Sequence, residues 1–595
     1  MAEKIVSPGV FTNEVDQSFL PAGVAAIGAA VIGPTVKGPA LVPTTVSSYS
    51  EFVNIFGGTF ESGSGASKNS YKYLTNYSAQ EYLKYADTLT VVRVLDGDFS
   101  AATASIKTKG SGSHADGSAL GGVLGGLDCF TLTTLSHGAD QNSHGGTLGT
   151  NELLTNGTTN NLRYEVSNVS DSKGTFNLTI RRGDDTKKRK VVLEQYNNVN
   201  LDPNSANYIA RRIGDQVAET KDIATLDPYI QYTGDYPNRS KLVRVTVNKR
   251  TLNYLDENGN VREGDLSGSL PQPMSASFGG GADGTVAHPR AMYGEIADAN
   301  SQGITFGSDG QSEYIGAIRL LKNQDEYDIN VLSLPGVVND HANHAKVITE
   351  AIDMVENRGD CFFVADPVKA KITSLVDVTA QAEARDSNYV AMYWPWIKIP
   401  DNDLGRNVWV PASTVIPSVY AFNDRVAAPW FAPAGLNRGG IDIAVQAERK
   451  LTHANRDTLY ESNVNPIATF PNAGVTVFGQ KTLQKKASAL DRVNVRRLLI
   501  AAKKFIASST KFLVFENNTA ATRNRFLSIV NPYFENIQQR QGLYAFKVVM
   551  DESNNTPDVV DRNEMKGQIF MQPAKTAEFI VVDFNIMATG ASFPE

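Results

Sequence analysis

The sequence predicts a multidomain α/β chain: a doubly wound central domain, a β-rich surface lobe inserted into it, an α+β C-terminal domain and extended N- and C-terminal strand arms. Three observations predict it. Between 327 and 399 apolar strands alternate with amphipathic helices in βαβαβ spacing, which calls for parallel strands covered by helices on both faces. From 97 to 284 that texture gives way to Gly- and Ser-rich stretches and polar-faced alternating strands, bordered by glycines. At each end stands a β-prone segment with no neighbour in sequence to pair with, leaving a row of backbone donors and acceptors open. At 595 residues the chain exceeds what one core supports. The expected divisions are an arm over 1–22, a central body over 23–96 and 285–468, the inserted lobe over 97–284, a C-terminal assembly domain over 469–576 and a second arm over 577–595.

Composition narrows the function classes. Charged residues make up 20% and the net charge is -7, an ordinary globular balance that suggests neither a nucleic-acid binder nor an acidic disordered tail. Cys129 and Cys361 lie far apart among small apolar residues, so no disulfide framework or zinc site is expected, and a reducing compartment fits. The apolar run 20–33 follows Glu14 and Asp16 rather than a basic segment. It reads as a buried strand, too short and Gly-rich for a bilayer span and wrong for a signal peptide. A soluble, cytoplasmically made protein with no membrane insertion is expected.

The first arm is 10–15 (VFTNEV), with Val10, Phe11, Thr12, Asn13 and Val15, set apart by Pro21-Ala22-Gly23. After the strand in 20–33 and a loop with Gly38-Pro39 and Pro43, Ser48 and Glu51 form a capping-box pattern, and Gly57-Gly58 stops the helix it opens. A helix over 79–86 and a strand over 88–95 complete this half. In the lobe, strands are expected at 162–169, 175–182 and 190–195, with a turn at 183–185. The central domain continues with a strand at 327–334 and a helix whose Ala345, Ile348, Ile352 and Val355 share a face and which ends at Gly359. A strand at 361–365, a helix at 373–385 and a strand at 389–399 follow. Near the end, a helix at 492–507 puts Val495, Leu498, Leu499, Ala502, Phe505 and Ile506 on one face and Arg496, Arg497, Lys503 and Lys504 on the other. A second helix meets Pro532, which should kink or restart it. Strands at 543–550 and 567–572 precede the terminal strand 578–586, in which Phe579 stands beside an apolar face of Ile580, Val582, Phe584 and Ile586.

Catalytic motifs are sparse. No G-x-S-x-G, H-E-x-x-H or C-x-x-C occurs. In GPTVKG (33–38), Pro39 and Ala40 stand where a P-loop needs Lys and Ser/Thr. GGGADG (279–284) satisfies G-x-G-x-x-G, but TVAHP follows instead of a helix, so a turn is expected rather than a dinucleotide site. His341 and His344 have a spacing that suits a metal, but no third ligand is evident, and two exposed polar residues are expected. Asp366-Pro367 ends a strand of the doubly wound sheet, where such folds place ligands, and is the best enzyme candidate: a hydrolase or ligand-binding site. No catalytic, cofactor-binding or metal-binding residue is assigned. The strongest charge signal is 481–525, with eleven Lys/Arg against two acidic residues, a local charge of +9. Arg496, Arg497, Lys503 and Lys504 are the candidate basic docking surface, either a solvated helix back or a face for acidic protein. Nucleic acid is disfavoured because no aromatic platform interleaves them.

Several segments together resemble the tail sheath proteins of contractile bacteriophages. They are SPGVFTNEVD (7–16), AAIGAAVIGPTVKGPALVPTTVSSYSEFVNIFGG (25–58), GGGADG, YIGAIRLLKNQDEYDINVLSLPG (314–336), and the helix pair and strands of 492–593; LDPNSANYIARRIGD (201–215) looks closest to the long, T4-like members. The resemblance implies a central domain of subtilisin-like topology, without that protease family's motifs, and a structural role: a six-fold helical sleeve around an inner tail tube, contracting to drive the tube through the host envelope. It also implies that both arms add strands to neighbouring subunits. The implied partners are other copies of the chain, the inner tube protein, and baseplate and tail terminator proteins, with no direct nucleic-acid contact. The implied location is the virion tail, assembled in the host bacterial cytoplasm.

Overall fold

The computed structural model describes residues 28–62, 69–109, 127–139, 148–262, 264–284, 296–307, 309–471 and 473–578. These fall into two compact units, 28–500 with 574–578, and 501–573.

The first unit is built on an eight-stranded sheet in the order Thr44–Val46, Leu89–Arg93, Gly28–Gly33, Ile329–Val338, Phe362–Asp366, Val390–Trp394, Val464–Phe470, Gly474–Val477. The six inner strands are parallel and the two edges antiparallel. Strands buried on both faces read as unbroken apolar runs, as AAVI, FFVA and VAMYW do. Successive residues serve opposite cores. Ala29 and Val31 join Val364, Tyr393 and the helix residues Val415, Ile416 and Val419, whereas Ala30 and Ile32 join Phe363, Trp394, Tyr314, Ile348 and Ile352. Helices Leu74–Tyr82 and Ala412–Val426 thus cover one face, and Asp309–Leu320, Ala342–Arg358, Leu375–Glu383 and His453–Glu461 the other. The sheet is doubly wound.

Local signals act as read. Ser48 caps Tyr49–Phe56, its Oγ accepting from the Glu51 N–H at 3.2 Å, although the Glu51 carboxylate accepts from the Ser47 N–H at 3.0 Å and not from the cap residue. Gly359 closes Ala342–Arg358 at φ 68°, a left-handed turn where a Cβ would be strained. Three expectations shift. The helix expected at 79–86 lies at Leu74–Tyr82. The strand expected at 389–399 is two: Val390–Trp394 stays in the main sheet, while Ile397–Asp401 pairs with Arg406–Val410 and Gln446–Ala447 in a separate sheet. Pro395, with no N–H for the ladder, stands at the break. Finally, Gly474–Val477 forms an edge of the main sheet, so the C-terminal unit begins not near 469 but within the helix Val493–Thr510.

The lobe is a pair of four-stranded antiparallel sheets. One comprises Val243–Val247, Asp128–His137, Phe99–Lys107 and Ala282–Asp283, the other Val192–Asn200, Thr175–Arg182, Leu162–Ser170 and Met274–Ser277. Their shared core includes Ile106, Phe130, Leu132, Phe176, Leu178 and Ile180, with Phe130 stacked on Phe176 at 5.6 Å. GGGADG is partly strand rather than a free turn, because Gly279 exchanges two backbone bonds with Thr103 (2.8 and 2.9 Å) and Ala282–Asp283 pairs with 99–100. Entry and exit of the lobe are neighbours, Asp96 bridging to Gly284. A polar seam seats the lobe on the sheet: the Gly38 N–H donates to Ser136 Oγ (2.6 Å), and buried Arg93 donates to the carbonyls of Gly38 (2.8 Å) and His137 (2.7 Å).

In the second unit the helix Ala520–Gln539 packs Val530, Phe534 and Ile537 inward. It continues through Pro532 as one helix, so the expected restart does not occur. Pro532 is exposed and so is Ser528, whose carbonyl loses its i+4 donor and is left on the outer side of the helix. Phe534 meets Phe546 at 5.5 Å and Tyr533 stacks on Phe505 at 3.8 Å.

Candidate functional site

The arm residues Val10, Phe11, Thr12, Asn13, Val15, Phe579, Ile580, Val582, Phe584 and Ile586 lie outside the described residues. Leu543–Val549 and Gln568–Pro573 form a two-stranded antiparallel sheet, each strand hydrogen-bonded to one neighbour among the described residues. The inner side rests on the Ala520–Gln539 helix through Phe546, while Tyr544 is 65% and Phe570 57% exposed. A lone two-stranded sheet is marginal in water. Among the described residues its outer edges take no further strand, and with the exposed rings this is an arrangement that suits strand addition.

The basic stretch is not the surface expected of it. Arg496 is 4% exposed; its guanidinium lies 4.0 Å from the centroid of the Tyr389 ring and donates to the Asn388 carbonyl at 3.2 Å. Arg497, 5% exposed, pairs with Asp424 at 2.5 Å and lies over Tyr420 at 4.5 Å. Burial pushes the Asp424 carboxyl up and Arg497 offsets part of that. Lys504 is also buried; of the four candidates Lys503 alone is exposed. The first turns of this helix bury Val493, Asn494, Val495, Leu498 and Ile500 on all sides, so its guanidinium groups reach tyrosine faces and fixed acceptors instead of water. Arg496 and Arg497 are positions of internal packing. The expected solvated back fails because 3.6-residue periodicity says nothing about what packs on the polar side.

The enzyme candidate resolves the same way. Asp366 is 1% exposed and accepts from the Ser413 N–H (3.0 Å) and Ser413 Oγ (2.5 Å), at the start of the Ala412–Val426 helix. It holds a helix N-terminus, where unpaired N–H groups favour an anion. Burial still lifts its pKa to about 7, against the lowering bonds of Ser413. Strand order reverses between Gly28–Gly33 and Ile329–Val338, and residues 301–302 lie against the end of the second of these strands. Gln302, fully buried, accepts from the Leu74 N–H at 2.8 Å and donates to the Pro335 carbonyl at 2.8 Å, and Ser301 Oγ donates to the Gly336 carbonyl at 2.7 Å. His344 is buried rather than exposed: it stacks on Phe306 at 4.0 Å, its Nδ1 accepts from the Val338 N–H at 3.3 Å, and burial holds its pKa down to about 4. Among the described residues no group of three or more His, Cys, Asp or Glu could hold a metal ion, and no helix is long and apolar enough to cross a membrane.

One constellation escaped the sequence reading. Glu578, first residue of the expected terminal strand, is held by Arg492, Tyr460 and Gln480. The only local hint was a charged residue opening an apolar strand, which identifies no partner.

Comparison with known proteins places these features. Residues 310–483 match the phage tail sheath protein central domain, and 485–587 the phage tail sheath C-terminal domain. The chain is similar to the tail sheath protein of Vibrio phage KVP40, 32% identical over 332 residues that cover 51% of this chain and 47% of that protein. It is 36% identical over 219 residues to the tail sheath protein of Enterobacteria phage T4, covering 37% of this chain and 32% of that one. The chain thus spans about half or less of the length of these curated relatives. A crystal structure of a sheath tail protein from Listeria innocua shares the fold with TM-score 0.51 at 11% identity, over 93% of this chain and 96% of that one.

Proposed function

We propose that this chain, which carries the central and C-terminal domains of the phage tail sheath family, is the structural subunit of a contractile tail sheath. It polymerises as a six-fold helical sleeve around an inner tail tube and contracts to drive the tube through the host envelope for genome ejection. The observation that carries this reading is that the region matching the C-terminal family domain contains a two-stranded sheet whose outer edges take no further strand among the described residues and whose aromatic rings Tyr544 and Phe570 are exposed. The arms at 10–15 and 578–586 are the strands that would complete it on neighbouring copies. Each added backbone bond is worth about 0.5–1.5 kcal/mol net, so a strand makes a durable link. The weaker contacts between bodies are then free to exchange between an extended and a contracted packing.

The doubly wound sheet supports a central domain of subtilisin-like topology, with the lobe of 97–284 as a protruding insertion. Its partners are other copies, the inner tube protein, and baseplate and terminator proteins; its place is the virion tail, after assembly in the host cytoplasm. The role is structural and asks for no catalysis. The alternative, a hydrolase or ligand-binding enzyme near Asp366, has no support in the relatives, and Asp366 is engaged at a helix end.

Electron microscopy of the purified chain tests this. Sleeves or tubes are expected from the full chain, and monomers from chains lacking residues 1–20, lacking everything after Thr576, or carrying Val582→Pro, which removes a ladder donor. Full-length sleeves from either truncation refute the exchanged arms, and monodisperse particles from the full chain refute the sheath.

A further inference from the structure

Residues 574–578 have no regular secondary structure, yet the last of them is held tightly. The Glu578 carboxylate accepts from Arg492 Nε at 2.8 Å and Nη2 at 3.0 Å, from the Tyr460 hydroxyl at 2.7 Å and from Gln480 Nε2 at 3.1 Å. Gln480 Nε2 also donates to Thr576 Oγ1 at 2.7 Å. The three holders are themselves braced. Arg492 pairs with Asp491 at 3.1 Å, the Val493 N–H donates to the Gln480 carbonyl at 2.8 Å, and Lys481 Nζ donates to the Tyr460 carbonyl at 2.7 Å while lying 4.4 Å from its ring centroid. Burial alone would raise the Glu578 pKa, but the bonds from Arg492, Tyr460 and Gln480 outweigh it and hold the carboxyl below the usual glutamate range. A bidentate arginine–carboxylate pair fixes direction as well as distance.

We propose that Glu578 is the anchor of the C-terminal arm: it clamps the arm's root to the subunit's own body at Arg492, so that the following strand departs from a fixed point. This rests on reading 578–586 as an exchanged strand. Register is what an anchor supplies. Side chains alternate along a strand, so a one-residue slip would turn Ile580, Val582, Phe584 and Ile586 to the wrong face of the neighbour's sheet, and a two-residue slip would keep the faces but misalign every pair. A root fixed at Glu578 forbids both slips and delivers tension on the arm directly to the body.

Limited trypsin digestion of the dilute full chain, followed by mass spectrometry at the exposed Lys575, tests the clamp, because cleavage there requires 574–578 to lift off the body. In Glu578→Gln this cleavage should be roughly tenfold or more faster, the scale of a lost charge-assisted bond. The double variant Arg492→Glu with Glu578→Arg should recover part of the resistance. The lowest concentration at which Glu578→Gln forms sleeves should rise by a similar factor. Unchanged cleavage in Glu578→Gln overturns the clamp, and an unchanged threshold for sleeve formation overturns its role as anchor. Val582→Pro separates the two ideas: monomers still resistant at Lys575 support both, whereas sleeves from Val582→Pro refute the exchanged strand whatever the digestion shows.

Discussion

Asp366→Asn should make the chain more stable above neutral pH. The carboxyl of Asp366 is 1% exposed, and its two bonds come from Ser413 alone. Burial raises its pKa from 3.8 to about 7. A carboxyl whose folded pKa lies above its unfolded value contributes stability that is complete below the unfolded pKa and is lost as pH rises through the folded one. The window therefore runs from about pH 4 to above pH 7. At about 1.4 kcal/mol per pH unit it contains roughly 4 kcal/mol. Asparagine keeps an acceptor for the Ser413 N–H and carries no charge to bury, so its stability should be flat across the window. Relative to the parent it should be about 1–2 kcal/mol more stable at pH 5 and about 4 kcal/mol more stable at pH 8. Urea unfolding followed by tryptophan fluorescence reads this, since Trp396 is buried beside the site, its Nε1 donating to the Val368 carbonyl at 2.9 Å. A parent whose stability is level from pH 5 to 8, or an Asp366→Asn chain less stable than the parent at pH 8, would refute the reasoning.

Arg497→Ala should cost about 1–3 kcal/mol, because it empties the buried guanidinium site over Tyr420 and leaves the half-buried Asp424 carboxylate without its counter-charge. Most of the loss should persist at high ionic strength, since a partly buried pair is screened much less than a surface one; denaturant unfolding at two salt concentrations checks it, and a loss that vanishes in salt would restore the docking-surface reading. Replacing the lobe between Gly97 and Gly284 by a short linker should leave a chain that still forms sleeves under the electron microscope, because Asp96 and Gly284 already touch. The body should lose about 3–6 kcal/mol, because the bonds of Gly38 to Ser136 and of Arg93 to His137 go and the lobe's Phe99 and Ile223 leave the core they pack against, and a folded monomer that never polymerises would put the lobe among the inter-subunit contacts.

Much of the architecture was legible in the sequence because the signals that build it act over a few residues. Alternation in 28–33 sorts Ala29 and Val31 from Ala30 and Ile32, Ser48 and Gly359 cap helices from adjacent positions, and the apolar strands between 327 and 399 predict parallel pairing. The same local reading misplaced what depends on distant partners. Pro395 divides a run that looks like one strand only because a second sheet receives the outgoing half. Asp366 looks poised at a strand end until Ser413, 47 positions on, meets it with a helix N-terminus. Arg497 looks solvated until Asp424, 73 positions back, pairs with it, and Glu578 looks like the start of a free strand until Arg492, 86 positions back, holds it. Periodicity and capping are set by backbone geometry within a turn or a pleat and so are written in neighbouring letters. Whether a charge faces water or a partner is set by which surfaces the packed sheet and helices bring together, and only the tertiary structure decides that.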